Sequence, residues 1–445
     1  MGVAIIVLQL ILSLSILVVL HEMGHFFPAK WFKTKVEKFY LFFDPRFSLW
    51  KTQKGETEYG IGWLPLGGYV KIAGMVDESM DMEQMKQPPQ PWEFRSKPAW
   101  QRLIIMLGGV TVNFILGFFL FGLVLAVWGE KYLPSAQVVN GIQVDSLGEA
   151  MGLRNGDKII SIGGKPFDKF SDRDLIKAVV IDNRHDVVVE REGAQITVQI
   201  GENFTRELSK SKRASGAIFI PRVPYVVGAV TTNFPAEKAG FKVDDKILAV
   251  NGEPAGFVDL FFRKMQNRRN EQVVITVERQ ENPLDITVTT NQDGKIGLQA
   301  KDPASFFEFA RRDYSFLEAL PAGVVKGWDF LTSQLKAFGQ MFRGNIKASD
   351  SLGGFISIGK LFPSTWNWEH FWSITALLSI ILGFMNLLPI PALAGGHVLF
   401  LLFEVITGRK PSDKFMEIAT IAGFILIIAL VLYANGLDIL RLIKK

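Results

Sequence analysis

The chain has 445 residues, more than one ordinary hydrophobic core organises, so several domains are expected. Hydrophobic residues make up 48% and charged residues 21%. This composition fits a membrane protein with a soluble portion better than a purely membrane-embedded or a purely soluble protein. The net charge of +5 does not indicate a nucleic-acid partner, because the basic residues are dispersed or flank apolar segments. There is no cysteine, so no disulfide pattern indicates the redox compartment.

Four apolar stretches are candidates for membrane-spanning helices, each of which needs roughly 20 mainly apolar residues. The first stretch covers residues 3–20 and runs on to 27, and the second covers 103–128. The third covers 372–388 and continues past two prolines into 398–406, and the fourth covers 418–433. We therefore predict four spans, of which the third is broken. A cleaved signal peptide is the alternative for the first stretch, but no basic start precedes it and no small-residue cleavage site follows it.

The basic residues that flank the apolar stretches predict the orientation in the membrane. Cytoplasmic loops carry an excess of Lys and Arg, which places residues 29–102 inside and the long segment 129–370 outside. The residues that support this are Lys30, Lys33, Lys35, Lys38, Arg95, Lys97, Arg102, Arg409, Lys410 and Lys414. Arg441, Lys444 and Lys445 would lie outside, in mild conflict with the rule.

The external segment contains an internal repeat. Residues 146–166 match residues 234–254, with Gly152 aligned to Gly240 and Asp157 to Asp245 at one constant offset. The shared pattern resembles bacterial PDZ domains, which implies two α+β domains that bind an extended peptide by adding it to a sheet edge. The alternative is a pair of β-domains that act only as spacers.

The most informative motif ends the first apolar stretch: His21-Glu22-Met23-Gly24-His25. On a helix, positions i and i+4 lie on one face, so both imidazoles reach one Zn²⁺, and Glu22 is placed to take a proton from the water that zinc activates. Ionisable residues in a span are costly in lipid and indicate function. The alternative is a polar helix end at the membrane interface.

Further motifs follow in order along nearly the whole chain: Gly55–Gly62, Pro65–Lys71, Gly108-Gly109 with Asn113, the repeat, Gly354–Ile358 and Asn386–Leu393. Together with the His-Glu-x-x-His motif they resemble the site-2 protease family of intramembrane zinc metalloproteases, in its bacterial form with tandem PDZ domains. The resemblance implies a helical polytopic membrane protein with four transmembrane helices, a membrane-associated β-hairpin, and two PDZ-like domains inserted between spans 2 and 3.

The family resemblance also implies roles for several residues. Residues 36–72 would form the hairpin, with Gly60 and Gly62 in the strand edge that receives an unwound substrate; the alternative is an ordinary loop. Asn386 and Pro389 would help to hold substrate near the site, although a plain helix kink explains the prolines as well. Residues 306–350 are expected to contain an amphipathic helix near the membrane, or one that only packs in a core.

One position departs from the family pattern. A zinc peptidase of this kind needs a third protein ligand, which in the family is an aspartate after the Pro-x-Pro sequence. This chain has Ala394 there, and His397 belongs to the family pattern around it rather than replacing the ligand. We therefore expect an incomplete zinc site and an inactive chain. Either one engineered change or a natural pseudoprotease explains it; the retained motifs favour the engineered change.

The expected domains are residues 1–128 with the motif helix, hairpin and second span, 129–220 and 221–305 as the PDZ-like pair, 306–369 as the amphipathic region, and 370–445 with the last spans. The expected function is intramembrane cleavage of pre-trimmed anti-sigma factors or remnant signal peptides in the bacterial inner membrane, with zinc as cofactor and the PDZ-like domains periplasmic. A non-catalytic peptide-binding membrane scaffold is the alternative, and a zinc transporter is disfavoured because the spans offer too few polar ligands.

Overall fold

The computed structural model describes residues 2–75, 87–209, 217–347, 349 and 352–443. The chain divides into two compact units, which we describe separately. The first comprises Met1–Glu130, Asp313–Leu335 and Leu352–Lys445, and the second comprises Lys131–Arg312 and Lys336–Ser351. The first unit thus contains all the apolar stretches of the sequence, and the second contains the repeat.

Long helices dominate the first unit, and short ones occur in the second. In chain order they are α1 (Gly2–Trp31), α2 (Ala99–Trp128), α3 (Ser146–Ala150), α4 (Asp172–Ile176), α5 (Phe204–Leu208), α6 (Pro235–Ala239), α7 (Val258–Met265), α8 (Phe316–Phe342), α9 (Phe355–Gly359), α10 (Trp368–Leu387), α11 (Ala394–Thr407) and α12 (Asp413–Ile443).

The strands are short except for the first two. They are β1 (Val36–Lys54), β2 (Thr57–Ile72), β3 (Glu130–Tyr132), β4 (Ile142–Val144), β5 (Lys158–Ile162), β6 (Lys165–Pro166), β7 (Asp186–Arg191), β8 (Ala194–Gln199), β9 (Phe219–Pro221), β10 (Val227–Val230), β11 (Lys246–Val250), β12 (Glu253–Pro254), β13 (Gln272–Arg279), β14 (Asn282–Thr289), β15 (Leu298–Ala300) and β16 (Ala310–Arg312).

Four helices of the described chain are long and apolar enough to cross a membrane: α1, α2, α10 and the Lys414–Ile443 part of α12. This is the number that the sequence predicts. The third span is broken at the prolines, as the sequence predicts, and its two parts are the separate helices α10 and α11. Leu388 leaves helical geometry ahead of Pro389, which disfavours the α conformation of the residue before it, and α11 starts afresh at Ala394.

Residues 36–72 form the predicted hairpin from β1 and β2. The hairpin is strongly bent, so the first part of β1 has two neighbours: Tyr40 lies opposite Tyr69 on one side and Gly60 on the other. The last part of β1 also reaches Gly60, through Lys51. The segment with Gly60 therefore lies inside the sheet, whereas residues 68–72 pair only with the first part of β1 among the described residues.

The repeat in the sequence is a repeat in structure. The sheet orders β6-β5-β7-β8 and β12-β11-β13-β14 are the same, and each sheet covers its own hydrophobic core. Asp157 pairs with Arg191 in the first copy, and Asp245 pairs with Arg279 in the second, at 2.7 Å in both. The equal positions of these buried carboxylates explain why the aspartate recurs at one offset.

The predicted amphipathic region contains helix α8, which has several large, exposed apolar side chains. Leu317 is 82% and Phe342 is 89% exposed, with Trp328 and Leu335 between them. In the first unit this helix crosses α2 at Gly122 and Gly323, where a Cβ on Gly323 would collide with the backbone of Gly122. The role of the helix in controlling access to the site stays a prediction.

Candidate active site

The His-Glu-x-x-His motif lies on the uninterrupted helix α1, so its two imidazoles share one face. The Nε2 atoms of His21 and His25 are 3.3 Å apart, and the two rings meet edge to face. Glu22 lines the same cavity as both histidines, which has a volume of about 110 Å³. The motif therefore brings two imidazole rings and one carboxylate to a single cavity.

The outer ring nitrogens are held by α2. His25 Nδ1 lies 2.8 Å from the carbonyl oxygen of Ile105, which makes Nδ1 the donor and leaves the lone pair of Nε2 for the cavity. His21 Nδ1 lies 2.9 Å from the amide nitrogen of Asn113, which is fully buried. Both rings are thus oriented by partners on the second span.

Glycines allow α1 and α2 to approach closely enough for these contacts. A Cβ on Gly24 or Gly108 would collide with the backbone of the other helix. A Cβ on Gly109 would collide with both imidazole rings. The Gly108-Gly109 pair of the sequence therefore sets the distance between the motif helix and the helix that orients its histidines.

The histidine pair fits two ligand positions of a zinc site. Zinc–nitrogen bonds of about 2.0–2.1 Å at a tetrahedral angle place two ligand nitrogens about 3.3–3.4 Å apart. The observed distance of 3.3 Å between the two Nε2 atoms matches this expected distance between ligand nitrogens. The His25 ring also donates its outer N–H to a carbonyl oxygen, as histidine ligands of zinc usually do.

The third ligand position does not fit. Ala394, the first residue of α11, lines the cavity with a methyl group that has no donor atom. His397 lies one turn further along α11 and also lines the cavity. Within the described residues, however, no three His, Cys, Asp or Glu side chains are grouped closely enough to hold a metal ion. The donors present amount to two of the three protein ligands, and we derive no catalytic step through zinc for this chain.

The residues predicted to bind substrate lie in different environments. Asn386, in the last turn of α10, lines the cavity, whereas Pro389 is exposed and is not one of the lining residues. Gly60 lies between two strand neighbours, and Gly62 pairs with Ser48 while facing the backbone of Phe43. The expected open edge therefore does not run through Gly60, and the substrate-binding role of these four residues stays a prediction.

The edge that does reach the cavity belongs to the end of β2. Val70 and Ile72 line the cavity together with the motif residues. They belong to the segment 68–72, whose one neighbour in the described sheet is the first part of β1. The other edge of this segment has no strand neighbour among the described residues.

The family model for peptidase family M50 matches residues 9–430, which is almost the entire chain. The chain belongs to this family. The M50 chain is 30% identical to the regulator of sigma E protease of Haemophilus influenzae, with 97% of this chain and 98% of that protein covered. It is 29% identical to the regulator of sigma-E protease RseP of Escherichia coli, again with 97% and 98% covered. A protein of Neisseria meningitidis whose name describes a zinc metalloprotease is 28% identical, with 98% and 99% covered.

Membership of the M50 family confirms the resemblance read from the motifs, and zinc is the metal of these metalloproteases. Two features of the site were not predicted from the sequence. The contact of Asn113 with His21 could have been suspected, because a polar residue inside an apolar span indicates a function. The position of Val70 and Ile72 at the cavity depends on the register of a bent hairpin, for which the sequence carries no clear signal.

Proposed function

We propose that this chain has the architecture of an intramembrane zinc endopeptidase that cleaves transmembrane segments of pre-trimmed anti-sigma factors or remnant signal peptides. We propose further that the chain is inactive as it stands, because residue 394 is alanine. The observation that carries the proposal is the single cavity that gathers the His21–Glu22–His25 motif, position 394 and the end of β2. The names of the relatives, which describe regulators of sigma E, support the class of substrate.

Each part of the cavity has a chemical task in this proposal. In a site completed by a third ligand, His21 and His25 would hold zinc, which would supply a Lewis acid for the attack of water. Glu22, which lines the same cavity, would there accept the proton of the water and return it to the leaving amine. A transmembrane substrate buries its amides in its own helical hydrogen bonds, so it must unwind before cleavage. The segment 68–72 supplies replacement partners by adding the substrate as a strand, which brings the scissile bond beside Glu22.

The two repeats are proposed to be PDZ-like domains on the periplasmic side of the bacterial inner membrane. In the second repeat, a cavity of about 570 Å³ lies beside α7 and is lined by Phe234, Phe261, Phe262 and Met265 among others. A groove of this size, with aromatic side chains on one wall and polar residues on the other parts of its lining, suits an extended peptide. Such domains would bind peptide ends or exclude substrates that still carry bulky external domains.

Ala394 favours a second candidate, a non-catalytic scaffold that binds membrane proteins and peptides. The test is cleavage of a transmembrane-helix reporter in membranes. We expect no cleavage by the chain as it stands, cleavage by Ala394→Asp, and none by Ala394→Asp combined with Glu22→Gln. Ala394→Asn is the matched control, because it has the size of aspartate without the charge. If Ala394→Asp cuts none of a panel of anti-sigma-factor and signal-peptide segments, the scaffold is supported instead.

A further inference from the structure

The Gly354–Ile358 segment has no task in the proposed reaction, but two side chains of the last span bind it. The segment starts α9, and the first N–H groups of a helix have no partner within that helix. Asn435 Oδ1 on α12 accepts the backbone N–H of Phe355 at 3.2 Å. The carboxylate of Asp438, also on α12, accepts the backbone N–H of Ser357 at 2.8 Å and the hydroxyl of the same residue. The start of α9 is therefore bound to the end of α12.

The two side chains of α12 are held in the orientation that this contact needs. Asp438 is 2% exposed although it lies in a span, where an uncompensated charge is costly, and Arg441 lies 3.4 Å from its carboxylate. Asn435 donates its NH₂ group to the carbonyl oxygen of Val431 at 2.8 Å, which turns Oδ1 toward α9. A Cβ on Gly354 would collide with Asn435, so the close approach requires glycine there.

Elsewhere, α12 packs against the rest of the first unit at few points. Among its described residues only Gly423, Ala434 and Asp438 are buried, and most of its large apolar side chains are exposed. Lipid solvates apolar surface as well as another helix does, so hydrogen bonds and close packing decide where a span stands. The hydrogen bonds to α9 are therefore a main attachment of α12.

The other half of α12 forms part of the proposed active site. Thr420 and Phe424 line the cavity that also holds His21 and His25. Asp438 lies beyond Thr420 by 18 residues, which is about 27 Å along a helix. Since α12 is one uninterrupted helix, an attachment near its end also fixes the position of the part that faces the cavity.

We propose that Asn435 and Asp438 are positioning residues, which anchor α12 to the Gly354–Ile358 segment and so hold Thr420 and Phe424 at the cavity. The proposal rests on the proposed function for the meaning of the cavity, but not for the position of α12. The competing explanation is that the two side chains only cap α9 locally. In that case their loss would leave the distant half of α12 in place.

Spin labels on pairs of introduced cysteines measure the position of α12 in the purified full chain in lipid bilayers, because the chain has no cysteine of its own. One pair replaces Phe400 and Phe415, whose rings join α11 to α12 at 5.8 Å, at the end of α12 far from the anchor. The reference pair replaces Phe27 and Ile115, two exposed residues on α1 and α2.

Three variants are compared with the parent for both label pairs. Asn435→Leu combined with Asp438→Leu removes every acceptor of the anchor, whereas Asp438→Asn alone keeps an acceptor oxygen at the same size. Tyr433→Leu is the matched control, because it changes a large exposed side chain in the same part of α12.

We expect a single short separation between residues 400 and 415 in the parent, in Asp438→Asn and in Tyr433→Leu. In the double variant we expect the population of a longer separation to rise at least about 3-fold, which is the effect of one average interhelical hydrogen bond in a membrane. The reference pair should report the same separation in all four chains.

The proposal is overturned if the double variant keeps the short separation, as local capping of α9 predicts. It is also overturned if Tyr433→Leu or Asp438→Asn releases α12 as fully as the double variant, or if the reference pair changes with it. The readout involves neither cleavage nor zinc. A failure of Ala394→Asp to cut its substrates would therefore count against the proposed function and leave this result standing.

Discussion

His21 and His25 hold their Nε2 atoms 3.3 Å apart, and Gly109 packs against both rings. The spacing follows from the i, i+4 positions of the histidines, but the ring orientations follow from α2, which supplies the Ile105 carbonyl and the Asn113 amide. The site therefore depends on how closely two spans approach as much as on the motif itself. This relationship makes the helix crossing open to a direct test.

Gly109→Ala should damage the site without removing any donor. The added methyl group would collide with both imidazoles, and overpacking of this kind costs about 1–3 kcal/mol where neighbours must move. We expect weaker zinc binding and loss of cleavage in the Ala394→Asp background. Zinc titration of Gly109→Ala beside Gly339→Ala, where the added methyl group meets open space, measures the effect. Equal zinc affinity in both variants would contradict the described crossing.

The two repeats should each lose stability when their buried aspartate is removed. Asp245 is 1% exposed, bonds Arg279 through both oxygens, and accepts the backbone N–H of Lys242. The hydrogen bonds with Asp245 raise the pKa of Arg279, and without them the guanidinium still stays charged, because an arginine side chain keeps its proton at neutral pH. Breaking a buried pair from one side costs about 3–5 kcal/mol, and the partial exposure of Arg279 favours the lower end.

Hydrogen exchange on the full chain locates the loss. Asp245→Ala should speed exchange in β11 and β13 while β5 and β7 keep their protection, and Asp157→Ala should do the reverse. Glu278→Ala and Glu190→Ala are matched controls, since they remove equivalent exposed pairs with Lys246 and Lys158, and exposed pairs contribute little. Equal exchange in the aspartate and glutamate variants would contradict the structural role of the aspartates.

Substrate should contact the end of β2 rather than the segment with Gly60. The chain has no cysteine, so single-cysteine variants report one position each. We expect Val70→Cys, at the cavity, to form a disulfide with a cysteine near the scissile bond of a substrate helix. Leu49→Cys, on the opposite edge of the hairpin and 65% exposed, is the control. Cross-linking at residue 49 but not at residue 70 would show that the wrong edge has been assigned.

Much of the fold follows from local sequence patterns. The apolar lengths predict the four spans, and the matching glycines and aspartates predict two equivalent β-domains, because each pattern reflects contacts close in sequence or repeated at one offset. The break at Pro389 is also local, because a proline disfavours the α conformation of the residue before it, and the sequence therefore predicts the broken third span.

The parts of the site that were missed depend on contacts far apart in sequence. Gly60 lies inside the sheet because β1 bends and pairs with two parts of β2, and no alternation of residues reports such a bend. The meeting of Asn113 with His21 requires the crossing angle and distance of two helices, which their sequences do not specify separately. The motif identifies the chemistry, but tertiary packing decides which side chains support it.

The most direct test of the account is the zinc affinity of the purified chain compared with its Ala394→Asp variant, with Ala394→Asn as the control. An aspartate at the first residue of α11 suits a helix N-terminus and adds an oxygen ligand to the cavity that holds both histidines. The account predicts about one zinc per chain bound tightly by Ala394→Asp, with thermal stabilisation on adding zinc, and weak binding by the other two. Equal binding by all three chains would contradict the claim that residue 394 completes the site.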